Sequence, residues 1–414
     1  MLRYMFLLAM LALPGLANAA PLALHRGVGV HNLLNWSPVA ADGNYRWPPY
    51  RSEAEWLGEY RPLSDWPAGS AFAHIKSLGF DFVRMTLDPG PLLANTGDRR
   101  REALAVIEAA VRGAVAQGLK VVLNFHPTNQ FEAYSPKALH VRPDDPAVVA
   151  YRGVVAETAA MLLRVGIAEV AIEPFNEPAY YPCDAGGSED FQQVLERQVA
   201  AIRAVSAELT IVVTGACGGS ITGLTDLVPS FDDDAILYSL HMYEPHSFSH
   251  QRADNGGWFS GFPWPASAGS REAVLEGLRT RMDAAGVGPI EKEISMLVVG
   301  GEADKYFAMD WGLPQMEARL AEAVDWAARY DIPPSRLFMG EFGAILMTAD
   351  GRSGAFDADR LRYLGALREI ADRHGIPWSI WEYSNPYGMS LIVPEGPAGP
   401  DLPLLGVLGL EPIR

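Results

Sequence analysis

The sequence is poor in cysteine, in basic charge and in long apolar runs. Only two cysteines, Cys183 and Cys217, occur in 414 residues. In an oxidising compartment they could pair and close the loop between them, or they could be two unrelated thiols; the sequence leaves both open. No closely spaced set of Cys and His ligands marks a structural zinc site. Lysine and arginine number 33 against 50 aspartates and glutamates, for a formal net charge of −17. That excess argues against nucleic acid and anionic membrane as partners and is compatible with a neutral substrate. One extended apolar stretch stands out, "YMFLLAMLALPGL", and Pro14 and Gly15 interrupt it before it could span a bilayer. With Arg3 near its start and the small-x-small site Ala17-Asn18-Ala19 behind it, this stretch reads as an export leader. The expectation is cleavage after Ala19, with residues 20–414 as the mature chain in the periplasm or secreted. Also missing are a Pro/Ser-rich linker, a low-complexity tail, and a GxGxxG after the first apolar strand. The last absence weakens a nucleotide-binding doubly wound sheet.

What is present is a core and a repeat of elements. Hydrophobic residues make up 49% of the chain, ample for a packed interior. Short apolar runs read as strands at 26–31, 80–87, 120–126, 169–177, 210–216, 235–243, 336–343 and 376–383. Helical stripes lie between several of them: Leu104, Ile107, Val111 and Ala114 in one, and Phe191, Val194, Leu195, Ile202 and Val205 in another. Eight alternating units predict a single-domain (β/α)8 TIM barrel. The segment from Glu244 to Gln315 is expected to be a long loop after the sixth strand. A connection of that length is either functional or partly folded.

Polar residues concentrate at the ends of these runs. Arg84, His126, Glu177, His241, Glu341 and Trp381 each fall at or near the C-terminal end of a different strand, where barrels of this kind place catalytic groups. A regular fourth strand would point Glu173, Phe175 and Glu177 the same way, with Pro178 closing it. Glu173, one layer deeper, is better suited to pair with Arg84 or another cation than to do chemistry. Glu341 sits between Gly340 and Gly343, which permit a close approach of backbone or ligand. Two carboxylates facing each other across a barrel mouth are what glycoside hydrolysis requires: one protonates the leaving oxygen and the other attacks the anomeric carbon.

The ordered motifs "VRMTLDP", "VVLNFHP", "FNEP", "LHMYEP", "GEFG" and "IWEY" resemble those of glycoside hydrolase family 5, the cellulase-type barrels of clan A. The resemblance runs from about Arg26 to Trp381. It implies a retaining hydrolase with Glu177 as acid/base and Glu341 as nucleophile. Arg84 and Tyr243 would support Glu341 by charge and hydrogen bonding, and His241 would tune proton transfer at Glu177. Asn176 would bind the sugar 2-hydroxyl, His126 another hydroxyl, and Trp381 would form the floor of that subsite. "GVGVHNLLNW" resembles the family's first strand and places His31 and Trp36 near the cleft. Asn124 stands where many relatives carry an acid, a change expected to alter packing rather than chemistry. Trp258 or Trp264, in the aromatic part of the long loop, would either stack on substrate or close a mini-core beneath the loop. The resemblance implies a monomer acting on a β-glucan or related polysaccharide, with no cofactor and no metal. Endo-β-1,4-glucanase comes first, ahead of β-mannanase and exo-β-1,3-glucanase. The competing classes are a carbohydrate-binding protein on a barrel scaffold and a metal-dependent hydrolase built on His126, His241 and Glu341.

Overall fold

Each of the eight apolar runs forms a parallel strand, and together they close a barrel. The strands are β1 Arg26–Leu34, β2 Phe82–Leu87, β3 Lys120–Phe125, β4 Val170–Glu173, β5 Thr210–Thr214, β6 Ile236–Met242, β7 Leu337–Phe342 and β8 Trp378–Ile380. Each pairs with its successor in the chain, and β8 pairs with β1. The computed structural model describes residues 20–59, 69–178, 183, 190–253, 257–385, 388–392 and 399–411. The expected leader, residues 1–19, lies outside the described residues.

The alternation of the strands sorts the barrel into layers. Outward residues such as Val83, Met85, Val121, Leu123, Val170 and Ile172 join the main core beneath the helices. Inward residues at the N-terminal end, Phe82, Val122, Ala171, Val212, Leu237 and Phe338, close the bottom together with Leu22 and Leu24. Gly27 is necessary there, because a Cβ on it would stand 2.2 Å from the Phe82 ring. Two residues further along the strands the inward positions turn polar: Arg84, Asn124, Glu173, Thr214 and Ser239, all buried. The interior thus passes from an apolar plug to a charged layer directly beneath the mouth.

The helices that cover the strands include α1 Ala71–Ser77, α2 Gly97–Ala116, α3 Pro146–Val165 and α4 Phe191–Arg203. In α2, Ile107, Val111 and Ala114 are buried as expected, with Leu104 partly buried against the same core. α4 ends at Arg203, so Val205 of the expected stripe lies past its end. α3 is apolar and long enough to cross a membrane by composition. It serves as a core helix, burying Val148, Tyr151, Val154, Val155 and Leu162.

The fourth strand is shorter than its sequence suggests. β4 stops at Glu173, and Pro174, which cannot donate to a strand ladder, begins the turn. Phe175 therefore does not share the direction of Glu173. It packs outward against Tyr151 of α3 and Phe191 of α4, with ring centroids 5.8 and 5.7 Å away.

The expected long loop after β6 is folded. It contains α5 Arg271–Ala284 and α6 Pro289–Met309, followed by α7 Leu313–Arg329, the helix that leads back into β7; α8 Asp357–His374 then joins β7 to β8. The two-residue strand Phe259–Ser260 pairs with Ser353–Gly354 beyond β7. Phe248, Trp258, Phe262, Trp264 and Tyr306 are all buried. Phe248 and Trp264 meet Tyr363 of α8 at 5.0 and 5.8 Å, which seals the insertion to the barrel.

Candidate active site

Arg84, fully buried on β2, is the hub of the charged layer. Its Nε donates to Glu173 Oε2 at 2.7 Å and its Nη1 to Glu341 Oε1 at 2.5 Å. Its Nη2 reaches Glu173 Oε1 at 3.1 Å and Asn176 Oδ1 at 2.9 Å. The planar fork of a guanidinium can serve three partners at once, which an ammonium cannot do with the same geometry. Glu173 also accepts from Thr214 Oγ1 at 3.0 Å. The pairing of Glu173 with Arg84 is the one its inward position on β4 suggested.

Glu341 is the penultimate residue of β7 and lies where the β6–β7 register shifts, between Leu240 and His241. A Cβ on the preceding Gly340 would stand 2.6 Å from Ser239 Oγ, so glycine lets the two strands close up there. Both Glu341 oxygens are held: Oε1 by Arg84, and Oε2 by the Tyr243 hydroxyl at 2.8 Å. Burial, reinforced by Glu341, pushes the Tyr243 phenol well above its usual pKa, so it stays a neutral donor. Glu177 is the contrasting acid. Its side chain is 42% exposed and touches His241 Nδ1 at 2.9 Å, whereas Glu341 is 5% exposed. His241 Nδ1 also lies 3.7 Å from Glu341 Oε2. Burial lowers the pKa of His241, but Glu341 and Glu177 outweigh it and hold the imidazole above its ordinary value.

The floor of the mouth is a set of neutral rings with fixed tautomers. Thr86 Oγ1 donates to the His31 carbonyl at 3.0 Å, so it accepts from His31 Nδ1 at 2.8 Å. His31 Nε2 is then free to accept from Trp36 Nε1 at 3.1 Å. Burial, with help from Arg84 and Arg51, lowers the His31 pKa to about 3. Because Asn176 gives its oxygen to Arg84, its Nδ2 donates to His126 Nε2 at 3.3 Å; His126 Nδ1 then faces Asn124 Oδ1 at 3.3 Å. Burial, then the neighbouring His31 and Arg84, holds His126 well below its usual range. Asn124 therefore orients a site histidine, a closer role than the packing change expected of it. Trp381 lies against both rings, 4.9 Å from His31 and stacked at 6.0 Å on His126.

These side chains border a cleft of about 470 Å³ that includes His31, Trp36, Glu177, Tyr243, Glu341 and Trp381. Cys217 and Gly218 line another part of it. Cys183 and Cys217 form a disulfide, which ties the turn after β4 to the turn after β5. Gly218 N donating to Pro178 O at 3.1 Å adds a second tie.

Among the described residues, Glu177, His241 and Glu341 are the set whose ligand atoms approach closely enough to share a cation, all within 4.8 Å of one another. The Arg84 guanidinium on Glu341 and the proton on His241 Nδ1 oppose a dication there. The same atoms suit proton transfer and attack on carbon.

A family model described as Cellulase (glycosyl hydrolase family 5) matches residues 39–386. The chain belongs to glycosyl hydrolase family 5. This family 5 chain is 30% identical over 199 residues to Endoglucanase 3 of Fibrobacter succinogenes, covering 47% of the chain and 26% of that protein. It is 25% identical over 187 residues to Endoglucanase C of Acetivibrio thermocellus, covering 43% of the chain and 51% of that protein. It thus spans about a quarter to a half of the length of these curated relatives. Endoglucanase Cel5A of Thermotoga maritima superposes with a TM-score of 0.60 at 18% identity, over 93% of this chain and 97% of that one.

Of the two readings left open for Trp258 and Trp264 in the family 5 chain, the mini-core beneath the loop is the one the packing favours. Trp258 lies outside the cleft: it is 2% exposed, and its indole Nε1 donates to Glu291 at 3.1 Å. Trp264, 4% exposed, is part of the same packed insertion. Burying these large rings stabilises the insertion more than a half-exposed stacking face would. One cleft residue was missed, Glu382, which is 1% exposed and accepts from Asn385. Its Oε2 has no partner among the described residues. Burial raises its pKa well above the carboxylate range, Asn385 and the His31 backbone oppose this, and Glu341 adds to it. An acid at the end of the apolar run "IPWSIWEY" was its signal, overshadowed by the adjacent Trp381.

Proposed function

We propose that the protein is a retaining β-glycosidase that cleaves a polysaccharide or oligosaccharide, with endo-β-1,4-glucanase as the substrate class. One observation carries this reading: oxygens of Glu177 and Glu341 come within 4.8 Å of each other, one acid open and the other buried and doubly held. Retaining enzymes hold their carboxyls at about 5–5.5 Å, whereas inverting ones leave room for a water at about 6.5–9.5 Å.

The geometry supports two displacements. Glu341, oriented by Arg84 and Tyr243, attacks the anomeric carbon from below. Glu177 gives its proton to the glycosidic oxygen as the C–O bond breaks, and the leaving chain departs as an alcohol. Glu177, now a carboxylate, takes a proton from water entering at the open side. That water attacks the same carbon and releases Glu341, so the configuration is retained. The positive bias of His241 lets it follow the changing charge on Glu177 through Nδ1. Trp381 offers a flat apolar face to the sugar, while the second N–H of Asn176 Nδ2 and the Glu382 carboxyl present polar edges to its hydroxyls, and His126, held by Asn176 and Asn124, orients the Asn176 amide.

The endoglucanase names of the sequence relatives support a glucan, and the expected leader together with the disulfide supports an exported protein. Thermotoga maritima Cel5A is described in complexes with cellobiose and with mannotriose, which keeps β-mannan as a second reading. The test is a panel of β-1,4-glucan, β-mannan and β-1,3-glucan with product sizes followed over time. Early release of mixed oligomers from β-1,4-glucan is expected. Monomer release from chain ends would replace endo action with exo action. Binding without turnover on every member would leave a carbohydrate-binding protein.

A further inference from the structure

Glu177 reaches the mouth on a segment that no strand holds. β4 stops short of it at Glu173, and among the described residues the Glu177 carboxylate has one hydrogen-bond partner, His241. On the upstream side the segment is anchored by its own residues: Phe175 packs among the rings of the helices, and Asn176 Oδ1 is bound to Arg84. On the downstream side the anchor is the turn after β5. Gly218 N donates to Pro178 O at 3.1 Å, and the Cys183–Cys217 disulfide fastens the chain again beyond it.

Both ties end on Cys217–Gly219, and that turn is fitted to the acid/base and its partner. Cys217, Gly218 and Gly219 have φ of +57, +66 and +69°. An L side chain such as that of Cys217 adopts this left-handed backbone where its neighbours impose it. A Cβ on Gly219 would stand 3.3 Å from the Asn176 carbonyl oxygen and 3.4 Å from His241 Nδ1, the atom that meets Glu177. Ser220 continues the turn as a bridge partner of His241. One turn therefore borders the residue before Glu177, the residue after it and the imidazole beside it.

The two acids differ in what holds them. Glu341 lies within β7 and has Arg84 and Tyr243 on its oxygens. Glu177 has no such cage, yet proton donation requires its carboxyl within hydrogen-bond reach of the glycosidic oxygen. A misplacement of about 1 Å is enough to lose much of that contribution.

We propose that the Cys183–Cys217 disulfide is a positioning element of the acid/base: it fixes the β5 turn against the segment after β4, and breaking it impairs proton donation by Glu177 while sparing the nucleophile. The inference rests on the glycosidase reading. In glycosylation Glu341 attacks the anomeric carbon whatever the leaving group. A poor leaving group departs with the proton of Glu177, and a good one departs as a free phenolate.

The test compares phenyl and 2,4-dinitrophenyl β-cellobioside on the full chain, oxidised and after reduction with a phosphine. Cys183→Ser, at a residue that is exposed and outside the cleft lining, breaks the same bond by mutation. The quantity read is kcat/KM, which reports glycosylation, per active site counted by dinitrophenolate release from the 2-fluoro analogue. Breaking the disulfide should lower it about tenfold or more for the phenyl glycoside and leave it within about twofold for the dinitrophenyl glycoside. Trp258→Ala, which weakens the fold away from the cleft, should change the two alike. An equal loss on both glycosides, no loss on either, or the same selective loss in Trp258→Ala would overturn the proposal. So would a reduced chain that titrates no active sites, since the disulfide would then be a stabiliser alone. If the oxidised wild type hydrolyses neither glycoside, the glycosidase reading falls first and the inference with it.

Discussion

At the barrel mouth, Arg84, Glu173 and Glu341 are charged and almost wholly buried; in the insertion after β6, Trp258, Phe262 and Trp264 are apolar and buried as deeply. Both regions hold residue types common in carbohydrate sites, yet only the first gathers them around a cleft. The strands fix where their inward side chains point, so a charge placed there must find partners inside the barrel. Arg84 supplies them for two carboxylates and an amide together. The insertion has no such frame. Its aromatic rings turn toward one another and toward Tyr363 because covering them is the available way to remove their area from water. The difference teaches that an acid at a strand end is a stronger functional signal than an aromatic in a loop.

The comparison breaks most readily at the two acids. Glu341→Ala should lower turnover of an activated aryl glycoside by about 10⁴-fold or more. Azide should rescue it with an α-glycosyl azide as product. Glu177→Ala should still form the glycosyl-enzyme from that substrate, and azide should give the β product. Swapped stereochemistry would exchange the two roles, and near-normal activity in either variant would remove the carboxylate pair.

The next largest effect tests whether the mouth is held by its charges. Arg84→Met leaves Glu173 and Glu341 buried without their cation, a loss of about 3–5 kcal/mol in a denaturant titration. Arg84→Lys should recover part of it, because one ammonium replaces the charge but not the fork. An unchanged midpoint in Arg84→Met would mean that the network contributes nothing to folding.

Trp258→Ala sharpens the other side. A cavity in the insertion should cost about 3 kcal/mol of stability. It should leave the ratio of KM between cello-oligomers and a short aryl glycoside unchanged. A selective rise for oligomers would return Trp258 to the substrate path.

The smallest effect is a pH slope. The folded protein keeps the Glu382 proton where the unfolded chain has released it, so folding takes up a proton. Stability contributed by the neutral acid is full below the ordinary glutamate range and is lost as pH rises above it, by at most about 1.4 kcal/mol per pH unit. Glu382→Gln cannot ionise. Its melting temperature should fall less than that of the wild type between pH 4 and pH 8. Parallel curves would mean that Glu382 is ionised in the folded state.

The sequence by itself determined the barrel, the order of its strands and the strand-end positions of the two acids. These follow from local pattern: apolar runs of strand length alternating with helical stripes, and polar residues where the runs stop. Pro174 shows where local reading stops short, since it ends β4 early and sends Phe175 to the helices while Glu177 still reaches the mouth. Only the tertiary structure decided the rest. The Cys183–Cys217 pairing and the raised pKa of Glu382 depend on groups distant in the chain or on burial, and the orientation of His126 by Asn124 on where both side chains turn inside the barrel. So does the fate of Trp258, which the sequence left between substrate and mini-core. A side chain in a loop takes the direction in which most of its surface is covered, and which surface is there to cover it is known only once the other elements have packed.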